Sequence, residues 1–399
     1  MKELSRIASA VRASTTVAID SLAKKMKAEG IDVIGFGAGE PDFATPDNIK
    51  AAAIRAIENN CTKYTAASGM DTLKQAICDR MHADNGIDYK PGQIVVTSGA
   101  KHNVFIALMV LINPGDEVIL PAPYWVSYIE MIRMAGGVPV VVDAEEAAGF
   151  KVTAEQVRAA VTPKTKLIIM NSPSNPTGMI YTREELEAIG RVCVENDLYT
   201  ISDEIYCKLT YDGKEFTSMA ALGDEIKERT ILINGVSKTY AMTGWRIGFA
   251  AANDRLAKVM ADYLSHSTSA ASMISQYAAL EAYSGPQESV EVMRKAFEAR
   301  RDYFVSRVNN IEGVSCLKPE GAFYIMMNIE KLIGTKLYGV EITDSDVFAN
   351  LLLEKGLVAV VPGSGFGAPH FCRWSYATSM ENIRLGLDRL EKFLKEGRE

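Results

Sequence analysis

Seven short apolar runs alternate with helical patterns between about Thr45 and Tyr283. Several are apolar at consecutive positions, as expected for strands that helices cover on both faces. The runs are Ile94–Thr97, Glu117–Leu120, Val138–Val142, Leu167–Met170, Tyr199–Ser202, Thr230–Ile233 and Arg246–Ala250. This alternation predicts an α/β fold with a mostly parallel, seven-stranded sheet.

Two of the helices between these runs carry start signals. Thr45 precedes Pro46, and proline suits the first position of a helix. Thr182 stands three residues before Glu185, which is capping-box spacing, and predicts a helix from Glu184 to Glu195.

After Tyr283 the pattern changes to that of a smaller α+β domain. It predicts a long charged helix over residues 287–311, short strands at 322–327 and 358–361, and a closing helix from about Met380 to Lys395. The N-terminal segment up to about Pro41 is expected to pack against this part. The prediction is a small domain of residues 1–44 and 284–399 and a large domain of residues 45–283.

Composition narrows the class of protein. The 399 residues are 48% hydrophobic and 23% charged, which is ordinary for a globular protein. The net charge of −7 argues against binding to nucleic acid or to anionic membranes. None of the six cysteines forms a CxxC pair or has histidine at metal-ligand spacing, so buried thiols and no metal site are predicted. With no signal peptide or long apolar run, a cytoplasmic protein is expected.

The segment from Ser237 to Gly248 carries the first candidate chemistry. Lys238 follows one apolar run and Arg246 begins the next. A lysine that loses solvation at a buried strand end has a lowered pKa and suits Schiff-base formation. An arginine beside it suits a phosphate. Together they suggest pyridoxal 5′-phosphate, although a surface loop with two ordinary cations is the alternative.

Ligands of open parallel sheets bind beyond the carboxyl ends of the strands, so the other run ends are informative. Gly99, Ala100 and Lys101 open a helix, where backbone N–H groups suit a phosphate. Trp125 suits stacking on an aromatic cofactor, with a core tryptophan as the alternative. Asn175 suits donation to a phenolate oxygen, with a turn-forming asparagine as the alternative.

Asp203 emerges from a buried run and needs a cationic partner, for which a protonated pyridine nitrogen is suitable. A helix N-cap is its alternative role. Tyr206, three residues on, could reach the hydroxyl of the same ring. Each match is weak alone, but five matches to one cofactor at successive strand ends favour that cofactor.

These segments resemble the class I aminotransferases, which are fold type I pyridoxal-phosphate enzymes. The resemblance covers nearly the whole chain. It rests on Gly37-Ala38-Gly39-Glu40-Pro41-Asp42-Phe43, Lys63-Tyr64, Pro123-Tyr124-Trp125, Asn171 to Gly178, Ser202 to Tyr206, Ser237 to Gly248, Gly321-Ala322-Phe323-Tyr324 and Arg373-Trp374-Ser375-Tyr376-Ala377.

The resemblance implies specific roles. Lys238 is the Schiff-base lysine, Asp203 pairs with the pyridine nitrogen, and Arg246 binds the phosphate. The remaining implied roles are ring contacts for Trp125, Asn175 and Tyr206, phosphate contacts for Gly99, Ala100 and Lys101, and substrate contacts for Gly39, Trp125, Asn175 and Arg373. Tyr64 would reach the phosphate of a second subunit, which implies a homodimer with shared sites.

One position departs from the family pattern. Some members place a serine three residues before the lysine, where this chain has Gly235. Ser237 is the candidate substitute for that phosphate contact.

Arg373 suits the α-carboxylate of an amino acid because its planar fork can donate two hydrogen bonds; a structural ion pair is the alternative. For the distal carboxylate, the resemblance to a bacterial subgroup implies Arg12, Ser14, Thr16 and Lys101. A basic residue at the position of Arg12 also occurs in members that accept prephenate. Otherwise Arg12 is a solvated surface charge.

The predicted activity is a ping-pong transamination between aspartate or glutamate and a 2-oxo acid such as 2-oxoglutarate, with prephenate as a further substrate. An aromatic, alanine or kynurenine aminotransferase and a carbon–sulfur β-lyase would share Lys238, Asp203 and Arg373. A non-enzymatic regulator with an aminotransferase-like domain is the alternative of another class.

Overall fold

The computed structural model describes residues 2–12 and 15–398 of the chain. In this part the helices are α1 (Arg6–Ala10), α2 (Thr15–Ala28), α3 (Asp47–Glu58), α4 (Asp71–Asn85), α5 (Ala100–Leu111), α6 (Val126–Met134), α7 (Ala154–Ala159), α8 (Arg183–Glu195), α9 (Asp224–Glu228), α10 (Asp254–Ser267), α11 (Met273–Ser284), α12 (Glu288–Val308), α13 (Ser345–Gly356) and α14 (Met380–Gly397). The strands are β1 (Ile34–Gly35), β2 (Ile94–Thr97), β3 (Glu117–Ala122), β4 (Val138–Asp143), β5 (Thr165–Asn171), β6 (Tyr199–Asp203), β7 (Thr230–Gly235), β8 (Gly248–Ala251), β9 (Ser315–Cys316), β10 (Tyr324–Asn328), β11 (Lys336–Leu337), β12 (Val340–Glu341), β13 (Val358–Ala359), β14 (Val361–Pro362) and β15 (Phe371–Ser375).

The seven predicted runs form one sheet, in the order β2-β8-β7-β6-β5-β3-β4. Strand β8 is antiparallel to both of its neighbours and the other pairs are parallel. Consecutive side chains enter different cores: Leu167 and Ile169 pack with α5 and α10, whereas Ile168 packs with α8. Burial on both faces explains the unbroken apolar runs, and the predicted α/β class is confirmed.

Some predicted boundaries were wrong. The seventh strand begins at Gly248 and not at Arg246, because Arg246 adopts a left-handed conformation with φ of 58° after a short 3₁₀ turn. Pro46 is the N-cap of α3, which begins at Asp47. The strand predicted from residue 322 begins at Tyr324, since Ala322 has φ of 56°. The Thr182–Glu185 capping box is confirmed.

A second sheet, which is antiparallel and has the order β14-β15-β10-β9, packs with α12, α13 and α14. The N-terminal segment contacts this part: β1 pairs with β13, and Phe36 lies in the same apolar core. The division into residues 1–44 with 284–399 and residues 45–283 stays a prediction.

The cysteines are all free, but the expected burial was wrong for two of them. Cys61 and Cys207 are partly exposed, whereas the other four are buried. Within residues 2–12 and 15–398, no helix is long and apolar enough to cross a membrane. The same residues contain no cluster of side chains suited to a metal ion.

Candidate active site

The carboxyl ends of the central strands open into a cavity of about 360 Å³. Parallel strands deliver their carboxyl ends to one edge, so residues far apart in sequence meet there. The predicted residues that line it are Gly39, Ala100, Lys101, Trp125, Asn175, Asp203, Tyr206, Ser237, Lys238, Arg246 and Arg373. Gly99 borders it through contact with the guanidinium of Arg246.

Two predicted residues lie outside this cavity, and the side chains of two others are not described by the structure. Tyr64 is fully exposed and does not line the cavity. Arg12 lines an adjoining cleft of about 780 Å³, which shares Lys101 and Arg246 with the cavity. Ser14 is outside the described residues; Thr16 lies in α2, but its side chain is likewise outside them.

Lys238 follows β7, and its amine points into the cavity and donates to the carbonyl of Gly39. Burial of the amine lowers its pKa to about 8, opposed by the carboxylate of Glu40 and helped by Arg246. No carboxylate of the described residues forms an ion pair with this amine. Because a neutral amine is the nucleophile, this environment suits covalent chemistry near neutral pH.

The pKa of Lys238 gives a first testable prediction. With a pKa of about 8 instead of 10.5, roughly a fifth of the amines are neutral at pH 7.4, against roughly 0.1%. Trinitrophenylation of Lys238 in cofactor-free protein should therefore accelerate as the pH rises through about 8. Peptide mass spectrometry at each pH measures this rate, with Lys238→Ala as the blank. A midpoint near 10 would contradict the prediction.

Asp203, at the end of β6, is buried and accepts hydrogen bonds from Tyr128 Oη (2.7 Å) and the N–H of Ile205 (3.2 Å). Burial raises the pKa of its carboxyl to about 6, although both hydrogen bonds and Lys238 oppose the rise. A cationic ring nitrogen beside Asp203 would favour its ionised form. The bond to Ile205 belongs to a turn over residues 205–208 and no helix begins there, so the alternative role as a helix N-cap was wrong.

Tyr128 is a functional residue that the sequence reasoning missed. It is buried one turn into α6, and its ring meets Trp125 edge-on with 5.2 Å between ring centroids. A buried helical tyrosine is ordinary core, so no pattern singles it out. Its importance follows from Asp203, which lies 75 positions away in the chain and contacts it only in the fold.

An anion site lies at the start of α5. The guanidinium of Arg246 packs against Gly99, where a Cβ atom would be 2.3 Å from Nη2, and the φ of 91° at this position also favours glycine. Arg246 donates to the backbone carbonyls of Thr243 (2.9 Å) and Ser98 (3.4 Å), and no described carboxylate forms an ion pair with it. A helix N-terminus with an uncompensated arginine suits a phosphate.

The structure explains the departure at Gly235. A Cβ atom there would lie 2.8 Å from both the Cα of Gly248 and the carbonyl oxygen of Ile247. Serine would therefore force apart β7 and β8, which pair at this position. Ser237 lines the cavity beside Arg246 and offers a hydroxyl instead.

Arg373, on β15, brings a buried charge to the wall of the same cavity. Its guanidinium lies between the rings of Tyr324 (4.5 Å) and Phe366 (5.1 Å) and is 1% exposed. It donates to Asn175 Oδ1 (3.1 Å) and to the carbonyl of Gly37 (2.8 Å), and its Nε has no partner among the described residues. Burial lowers the pKa of Arg373, and a carboxylate ligand would supply the missing countercharge.

Tyr206 and Asn175 meet other site residues. Tyr206 Oη lies 2.9 Å from Tyr324 Oη. Tyr324 also lines the cavity, although the sequence analysis gave it no role. Asn175 is buried and its side-chain Oδ1 accepts a hydrogen bond from Arg373, so it does more than form a turn. Trp125 is partly exposed and lines the cavity, which excludes a purely core tryptophan. Contacts of these residues with a cofactor ring stay predictions.

Comparison with known proteins agrees with this site. Residues 31–390 match the family described as aminotransferase class I and II. The chain belongs to this family. Members of the class I and II aminotransferases are pyridoxal-phosphate enzymes, so the cofactor predicted from the sequence is confirmed.

Similar aminotransferases match along almost the whole chain. Aspartate aminotransferase of Bacillus sp. (strain YM-2) is 52% identical, over 96% of each chain. Aspartate/prephenate aminotransferase of Cereibacter sphaeroides is 50% identical, over 98% of this chain and 99% of that one. The structure of Thermus thermophilus aspartate aminotransferase with maleate is 41% identical with a TM-score of 0.93, over 98% of this chain and 100% of that one.

Proposed function

We propose that this aminotransferase moves the amino group of L-aspartate or L-glutamate to a 2-oxo acid such as 2-oxoglutarate. The observation that carries the proposal is Arg373, a buried guanidinium that has no carboxylate partner among the described residues and faces the same cavity as Lys238. The names of the similar aspartate aminotransferases support it, as does the maleate, a dicarboxylate, in one of their structures.

The residues of the cavity fit the cofactor. Arg246, Ser237 and the N-terminus of α5 would hold its phosphate, Asp203 its ring nitrogen, and Trp125 and Asn175 its ring. When bound, pyridoxal phosphate supplies an aldehyde that reacts with amines and a ring that withdraws electrons from the substrate α-carbon. The fit rests on Gly99, which leaves room for Arg246, and on the cations Arg246 and Arg373, which form no ion pair with the described carboxylates.

Side chains of the cavity provide substrate binding and proton transfer. Arg373 binds and orients the α-carboxylate, since its guanidinium is already fixed by Asn175 and Gly37. Lys238 removes the proton from the substrate α-carbon and returns a proton in the second half of the exchange. Its pKa of about 8 allows both directions near neutral pH. Tyr128 holds the carboxylate of Asp203 in place.

A panel of half-reactions tests the proposal. Loaded enzyme is mixed separately with aspartate, glutamate, alanine and phenylalanine, and the cofactor spectrum is followed. Aspartate and glutamate should convert the cofactor fastest. Faster conversion by alanine or phenylalanine would assign a different aminotransferase. Cystathionine is added as a further substrate. Release of a thiol, pyruvate and ammonia from it, without a 2-oxo acid acceptor, would assign a carbon–sulfur lyase.

We further propose that Arg12 and Lys101 bind the distal carboxylate and that prephenate is an additional amino acceptor. Both residues line the cleft that adjoins the cavity, and one similar protein is named for both substrates. Ser14 and Thr16 are included in this proposal on the basis of the sequence alone.

Replacing Arg12 tests the role in prephenate binding. Arg12→Ala should lower kcat/KM for prephenate about tenfold and lower that for aspartate less, because the bulkier substrate extends further into the cleft. Steady-state assays with each substrate give the ratio. Arg6→Ala, an exposed arginine of α1, is the matched control. An unchanged ratio in Arg12→Ala would contradict the role.

We also propose a cytoplasmic homodimer with shared sites. The fully exposed ring of Tyr64, outside its own cavity, is available to the site of a second copy. The free cysteines suit a reducing compartment. A monomeric mass in sedimentation at micromolar concentration would contradict the dimer.

A further inference from the structure

Two cations of the site use backbone carbonyls of one short segment, Gly37–Phe43. Arg373 Nη2 donates to Gly37, and Lys238 Nζ donates to Gly39. These carbonyls are two residues apart, so the position of this segment contributes to where both cations are held, together with Asn175 in the case of Arg373. Backbone carbonyls carry no charge, and the segment therefore fixes the cations without neutralising them.

The segment is attached at its upstream end to the core around α12. Phe36 donates its N–H to the carbonyl of Ala359 and accepts from the N–H of Ser375, both at 2.8 Å. Its ring packs on Phe304 of α12 (centroids 6.1 Å apart) and on Trp374 (4.8 Å). This end is buried and well fixed.

The downstream end is attached to the same helix through Arg300. Its Nη1 and Nη2 donate to the two carboxylate oxygens of Asp42 at 2.7 and 3.0 Å. The guanidinium also lies over the rings of Phe43 (5.2 Å) and Phe297 (5.5 Å). Only 13% of the Arg300 side chain is exposed, and the bidentate geometry makes this a strong pair.

The spacing of the two attachments bends the segment. Phe36 meets Phe304, whereas Phe43 meets Phe297 with 5.6 Å between ring centroids, so the segment runs antiparallel to α12. Seven helical residues span about 10 Å, but seven extended residues span roughly 24 Å. The chain between the attachments must bow, and Gly39 reaches the cavity wall.

We propose that Arg300 is a positioning residue of the active site. By holding Asp42, it sets the bow of Gly37–Phe43 and so the place where Gly37 holds Arg373. Gly39 holds the amine of Lys238 in the cofactor-free protein. Arg300 does not line the cavity, so its effect on a carboxylate ligand is indirect. This inference rests on the proposed function, because it concerns dicarboxylate substrates.

The test compares two variants that break the same pair. Arg300→Leu keeps apolar contact with Phe43 and Phe297, and Asp42→Asn keeps the shape of the carboxylate. Arg307→Leu is the matched control, since Arg307 is on the same helix but pairs with Asp388 and Glu391. Maleate affinity by calorimetry, KM for aspartate, kcat and melting temperature are measured on loaded enzyme.

Both variants should weaken maleate binding and raise KM for aspartate about tenfold, with a smaller change in kcat. The double variant should be no worse than either single one, because one pair is lost in all three. Maleate affinity within twofold of wild type, with only a lower melting temperature, would overturn the proposal. An equal loss in Arg307→Leu would also overturn it. Failure of the wild-type protein to bind maleate would instead refute the proposed function.

Discussion

Replacement of Lys238 by alanine should lower kcat of transamination by about 10⁴-fold, since proton transfer by a positioned base contributes up to this factor. The cofactor should also lose the absorbance that depends on attachment to this lysine. The fold should persist, because the variant removes a buried amine that no described carboxylate pairs with and that makes one hydrogen bond, to Gly39. Assays of turnover, absorbance and melting temperature on one preparation measure these effects.

Lys74→Ala is the matched control for this experiment. Lys74 is also buried, at 7% exposure, but it pairs with Asp71 (2.9 Å) on α4 and does not line the cavity. Its loss should leave turnover within about twofold of wild type. Surviving turnover in Lys238→Ala would refute the role of Lys238, and a comparable loss in Lys74→Ala would show that the effect is not specific to the site.

Replacement of Arg373 by lysine should lower kcat/KM for aspartate about 100-fold. Lysine keeps the charge but loses the planar fork and the stacking between Tyr324 and Phe366, and hydrogen bonds to a charged group contribute about 1.5–3 kcal/mol. Steady-state kinetics with aspartate measure the change.

Arg301→Lys is a control of equal burial. Arg301 is 0% exposed but donates to Asp212 at 2.9 and 3.0 Å, away from the cavity. It should lower the melting temperature and leave KM for aspartate unchanged. If Arg373→Lys kept the wild-type KM and kcat, Arg373 would be structural and the assignment of the α-carboxylate site would be wrong.

The sequence predicted the cofactor side of the site because each contributing residue follows a recognisable strand. Asp203 and Lys238 stand directly after apolar runs, and parallel strands bring such ends to one edge. The hydrophobic pattern placed the start of the seventh strand incorrectly at Arg246. This residue has a left-handed conformation, and the strand begins two positions later. Backbone conformation of this kind depends on tertiary packing against Gly99, which hydrophobic periodicity does not record.

The substrate side was harder to predict from residue patterns. Arg373 comes from the second sheet and meets Asn175, 198 positions earlier in the chain. Its place was implied by the family resemblance and not by any local signal. Tyr128 and Arg300 had no role in the sequence analysis, because each acts through a partner distant in the chain, Asp203 and Asp42 respectively.

By itself the sequence determined the α/β class, the order of the seven strands along the chain and the suggestion of the cofactor, because these depend on local periodicity and on residue types at strand ends. The family followed from the resemblance of its motifs. The tertiary structure alone decided that Arg373 has no countercharge within residues 2–12 and 15–398, that Asp203 is held by Tyr128, and that Gly235 excludes serine. These depend on distances and burial between residues remote in sequence. These distances and this burial exist only in the folded chain. They determine which charges of the site are neutralised and which residues can contact a ligand.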